Sequence, residues 1–133
     1  MPITFSYDDH RRIIVTNLSG KVTDDELVEY YDELYRNERF LNGANELLTT
    51  EGLLEIDVHT NTMMHVTQLT RELSARLPGK KIALVPRTQL EYGYARMYEL
   101  LTDGSGWDRR LFESVDEAVA WLQTSTLSPT VTT

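Results

Sequence analysis

Lys81-Ile82-Ala83-Leu84-Val85-Pro86 is the stretch on which the fold turns. A strand with one wet face alternates apolar and polar residues. Four apolar residues in unbroken succession instead describe a strand buried on both faces, the signature of a parallel sheet with helices packed against it. Pro86 has no N–H to give to a ladder and marks the strand's end. An interior rung over Ile82 to Val85 is therefore the first expectation.

Its neighbours on either side read as helices. Upstream, Met63, Val66, Leu69, Thr70, Leu73 and Leu77 form one stripe of a helix that starts near Thr60 to Thr62 and stops at Pro78-Gly79. Downstream, Leu90, Tyr94, Met97, Tyr98 and Leu101 share a face. Gly104-Ser105-Gly106 then turns into a last strand, Trp107 to Phe112. Ser114-Val115-Asp116-Glu117 is a capping box opening a final helix, with Val115, Ala118, Val119 and Leu122 inward.

The beginning of the chain has a different character. Ile3, Phe5 and Tyr7 alternate with polar residues, Asp8-Asp9-His10 is turn chemistry, and Ile13-Ile14-Val15 follows at once. Strands joined so tightly must be antiparallel. The second of them runs to about Leu18 and ends at Ser19-Gly20. Thr23-Asp24-Asp25-Glu26 is another capping box, and Leu27, Tyr30, Tyr31, Leu34 and Tyr35 make an amphipathic stripe behind it. Glu46 to Thr50 reads as a third strand. Residues 51–61 stay open between an extended piece, a 3₁₀ turn and a loop. The predicted order is ββαβαβαβα: an α/β domain with a mixed, mostly parallel five-stranded sheet, one antiparallel edge and about four helices. It is expected to occupy residues 1–123, with residues 124–133 a polar, disordered tail.

Composition narrows the function. The 133 residues suit one domain, and 41% are apolar, enough for a core. With no cysteine there is no disulfide, no thiolate metal site and no cysteine nucleophile. The net charge of −8 opposes non-specific nucleic-acid binding and anionic membranes, since both call for surplus Lys and Arg. No apolar run approaches the ~20 residues of a membrane span. The start of the chain lacks the basic and apolar regions of a signal peptide, so a cytoplasmic location is expected. The acidic run from Asp24 to Glu38 reads as a solvated helix face, or alternatively as a docking surface for a basic partner.

No catalytic pattern stands out, and the expectation is a non-enzyme with no cofactor and no metal. Gly104-Ser105-Gly106 lacks the spacing of a nucleophile elbow. Glu55, Asp57, His59 and His65 are the one cluster with metal-ligand chemistry, and they read first as a polar loop before a helix. In open α/β sheets ligands collect at the carboxyl ends of the strands. That rim holds Thr60, Asn61 and Thr62 on one side and Arg87 and Thr88 on the other. Arg87 there either holds a small anion or a phosphorylated group, or pairs with Glu91 four residues on. Tyr92 and Tyr94 lie about 200° apart on their helix and cannot both face inward. Tyr92 and Arg96 complete the expected binding surface.

The element order, with Gly20-Lys21-Val22-Thr23-Asp24-Asp25-Glu26, Ile82-Ala83-Leu84-Val85, Tyr92-Gly93-Tyr94-Ala95-Arg96-Met97-Tyr98-Glu99 and the run from Phe112 to Leu122, resembles the SpoIIAA-like (STAS/SEC14-type) family of small bacterial proteins. The resemblance covers nearly all of the chain but the tail. It implies a STAS-like fold and a regulatory module that works by contact with a protein partner or as a homodimer. Better-known STAS relatives are phosphorylated on a hydroxyl residue at the start of the helix after the third strand. The matching region here is Ile56 to Thr62, which makes Thr60 and Thr62 the candidate phosphorylation sites, without the relatives' aspartate-serine pair and following glycine. The SEC14-type side implies the alternative, a carrier of a small apolar or lipid-like ligand.

Overall fold

The computed structural model describes residues 2–124. β1 (Ile3–Asp8) and β2 (Ile13–Leu18) form the expected antiparallel hairpin. β3 (Gly20–Thr23) follows, then α1 (Asp24–Leu34) and a short α2 (Glu38–Leu41). β4 (Asn45–Thr49), β5 (Leu53–Asp57), α3 (Thr60–Arg76), β6 (Lys81–Val85), α4 (Gln89–Leu101), β7 (Asp108–Leu111) and α5 (Val115–Leu122) complete the chain. The main sheet has the order β1-β2-β4-β6-β7, parallel throughout except for the first pair. β6 lies between β4 and β7 with all five residues buried, so the apolar run is an interior rung.

Two features correct the predicted order. β3 and β5 are strands and pair with each other, in parallel, as a separate two-stranded ribbon. Gly20 lies at φ +61°, a conformation that suits glycine, and its N–H bonds the Gly52 carbonyl at 2.9 Å. That turn carries the chain off the main sheet and into the ribbon. Residues 53–57, left open by the sequence, are thus extended. α2 is a fifth helix, whose cap Asn37 accepts from the backbone N–H of Arg39 and Phe40. The predicted tail lies outside the described residues apart from Thr124, whose carbonyl and hydroxyl oxygens accept from Lys81 Nζ at 2.7 and 2.6 Å.

Pleating sends alternate residues of the main sheet to opposite faces. Val15, Leu47, Ala83 and Arg110 stand in register on one face; Ile13, Leu47, Ala83 and Val85 pack there with Ala118 and Leu122 of α5. Ile14, Glu46, Ile82 and Arg109 align on the other, under α1, α3 and α4. An aromatic cluster fills that thicker layer: Tyr30, Tyr31, Tyr35, Phe40 and Trp107 meet in successive ring pairs 4.9–5.8 Å apart. The first capping box forms, and at Ser114 only the N-cap half of the second does. The Glu26 carboxylate accepts from the Thr23 N–H and hydroxyl, each at 2.9 Å. Ser114 Oγ accepts from the Glu117 N–H at 3.2 Å.

Candidate functional site

The carboxyl ends of β2, β4 and β6 are only partly covered. The ribbon folds over them on the three-helix side and leaves a half-open apolar cavity of about 100 Å³. Leu18, Leu48 and Leu84 form its floor, from the face of the sheet that carries Thr16 and Glu46. Val22 and Ile56, paired across the ribbon, roof it together with Val58. Its walls are Leu27, Tyr30 and Tyr31 of α1, Met63 and Val66 of α3, and Tyr94, Ala95 and Tyr98 of α4. Capping boxes and the glycine turn set where α1 and the ribbon begin; the helices' apolar stripes then face one another across the gap they leave. Apolar walls left unfilled in this way forfeit dispersion contacts that a bound apolar group would restore.

Polar groups reach the cavity at a few points. At the rim, Glu91 is only 7% exposed. Its Oε1 accepts from the Thr50 hydroxyl at 2.6 Å and from the Arg87 backbone N–H at 2.9 Å. Beside the floor, on the same face of the sheet, lies a buried set: Glu46 Oε2 accepts from the Thr16 hydroxyl at 2.7 Å and closely from the Tyr30 hydroxyl. Burial raises the Glu46 carboxyl above its ordinary range, against the pull of the Tyr30 and Thr16 hydroxyls and the charges of Arg109 and Lys80. Burial likewise pushes the Tyr30 and Tyr31 phenols up, so both are neutral.

The residues expected from sequence to bind sit around this cavity rather than in it. Thr60 and Asn61 are exposed at the start of α3, and Thr62 is half-buried there. That helix start is already served by an acid from α1. Asp24 accepts from the His59 backbone N–H at 2.8 Å and from His59 Nδ1 at 2.6 Å. These bonds, the backbone one foremost, and a further bond from Thr62 lower the Asp24 pKa; Asp24 in turn raises that of His59. Glu55 and Asp57 flank Lys21 at 3.9 and 3.8 Å, while His59 turns to Asp24, so the three do not converge.

Arg87 is exposed, and its Nη1 approaches the Thr50 carbonyl at 3.4 Å. The expected Arg87–Glu91 pairing takes another form: the backbone N–H of Arg87, not its guanidinium, meets the Glu91 carboxylate. No hydrogen bond or ion pair among the described residues joins Arg87 to Thr60, Asn61 or Thr62. Thr88 caps α4 by accepting from the Glu91 N–H at 3.2 Å. Arg96 pairs with Glu99 at 3.3 Å, and Tyr92 is half-buried outside the cavity lining. Sequence reasoning missed Thr50, Glu91 and the roof. The signal for the roof was present in Val22, Ile56 and Val58, each an apolar residue between two polar neighbours.

Comparison with solved structures finds this architecture in an uncharacterized protein of the DUF3478 family with a SpoIIAA-like fold, from Shewanella loihica. The two superpose with a TM-score of 0.59 over 90% of this chain and 93% of that one, at 14% sequence identity. The chain therefore has a SpoIIAA-like fold. No family model matches it, and no curated protein sequence does. Among the described residues no helix is long and apolar enough to cross a membrane.

Proposed function

We propose that this protein is a non-catalytic binding module that holds a small, largely apolar molecule in the cavity beneath its β3–β5 ribbon. One observation carries the reading: an apolar cavity of about 100 Å³ at the carboxyl ends of parallel strands, where ligands of open α/β sheets collect. A space of this size admits a ring or a short alkyl group, comparable in scale to apolar cavities of ~150 Å³ that take up benzene. A longer molecule would extend through the open side of the cavity.

Of the two roles expected from sequence, this is the carrier. Phosphorylation of Thr60 or Thr62 is disfavoured by the Asp24 carboxylate, which already occupies the α3 start and would repel the added phosphate. Native mass spectrometry of the protein isolated from its own host tests the reading. A co-purifying small molecule, lost from an Ala95→Leu variant that fills the cavity, is the expected result. Equal retention by that variant would place the ligand elsewhere and overturn the proposal.

A further inference from the structure

The cavity has a polar corner whose chemistry is one-sided. Of the side chains that line it, Glu91 is the only ionisable one besides the tyrosines, and Lys, Arg and His are absent from the lining. Glu91 is more than nine-tenths buried, and its two oxygens are used unequally. Oε1 takes both bonds, from the Thr50 hydroxyl and the Arg87 N–H. Oε2 makes no hydrogen bond among the described residues and keeps some accessible surface at the cavity rim. Arg87, the nearest cation in the sequence, sends its guanidinium to the Thr50 carbonyl and makes no ion pair with Glu91.

A carboxylate oxygen with unused lone pairs beside an apolar chamber accepts hydrogen bonds and favours positive charge. It repels a second carboxylate, and a buried pair of like charges is costly. Resting on the reading of the cavity as a ligand site, we infer that the ligand is a small amine: an apolar body in the chamber and a protonated nitrogen donating to Glu91 Oε2. Fatty acids and other anions of the same shape are excluded by the same group. Thr50 and the Arg87 N–H act as positioning groups; by holding Oε1 they fix the rotamer that leaves Oε2 free.

Calorimetric titration of the full chain with toluene, benzylamine and benzoate, which share one ring, tests this. Benzylamine is expected to bind at least about tenfold more tightly than toluene, equivalent to about 1.4 kcal/mol, with benzoate weakest. Glu91→Gln, which keeps an acceptor for Thr50 and Arg87, is expected to bring benzylamine down to the level of toluene. Benzoate binding as tightly as benzylamine would overturn the inference, and the unmodified protein supplies that comparison whether or not the variant folds. Toluene binding with no preference for the amine would leave the cavity as a ligand site and remove only the amine. Failure of all three to bind would remove both.

Discussion

Glu46→Gln is expected to change how stability depends on pH, because the buried carboxyl it replaces holds its proton more tightly in the folded state. Glu46 is 3% exposed on β4, beside the cavity floor on the same face of the sheet. Its folded pKa lies above the ordinary 4.5, burial being the largest cause. A raised carboxyl stabilises the fold fully below the unfolded value, and that contribution is lost as pH climbs through the folded one. For a single proton the loss runs at about 1.4 kcal/mol per pH unit inside the window and is zero outside it. The Gln side chain keeps the shape, accepting from one hydroxyl of the Thr16–Tyr30 pair and donating to the other, and does not titrate. Urea melts followed by Trp107 and Trp121 fluorescence, from about pH 4 to pH 8, give the difference in stability. Wild type minus variant should decline with rising pH from the ordinary carboxyl range and then level off. Tyr30→Phe removes a hydrogen bond that favours the ionised carboxyl and should widen the window by raising Glu46 further. Parallel stability curves for wild type and Glu46→Gln at every pH would refute the reasoning.

Three other outcomes follow from the same coordinates. Asp24→Asn should keep the bond to the His59 N–H yet let the His59 ring fall back toward 6.5, as read by NMR titration; an unmoved His59 contradicts the pairing. Gly106→Ala should destabilise the fold by about 1–3 kcal/mol, since a Cβ there would lie 2.5 Å from the Ser74 carbonyl oxygen. An unchanged melting temperature would deny that close approach. Burial lowers Lys80 to about 8 from 10.5, so between those values the folded state binds fewer protons than the unfolded one. Wild type should therefore gain stability relative to Lys80→Met as pH rises through that interval, and denaturant melts showing no gain would contradict it.

The fold was legible where one element carries its own pattern. Ile82 to Val85 named the interior strand, Ile3 to Val15 named the hairpin, and Thr23 and Ser114 marked helix starts through chemistry confined to four residues. The ribbon was not, because its pairing joins Gly20–Thr23 to Leu53–Asp57 across a helix pair and a strand, and parallel partners leave no local turn signature. Each strand also offers only one or two inward apolar residues, too few to show a period. The expected rim lies at the same end of the sheet as the cavity, and the cavity is lined by other groups. Glu91 read as a surface partner for Arg87 because spacing on a helix says which residues are neighbours, not which face the β4–β5 turn will cover. A cavity is harder still, since it records where helices fail to meet, and no single stretch of sequence encodes that.

Methyl NMR of the intact chain titrated with toluene addresses the central claim most directly. Shifts confined to Met63, Val66 and Ile56, with Ile13 and Leu47 beneath α5 unmoved, are the predicted response. Spectra that stay unchanged at saturating toluene, or that move mainly under α5, would contradict the account.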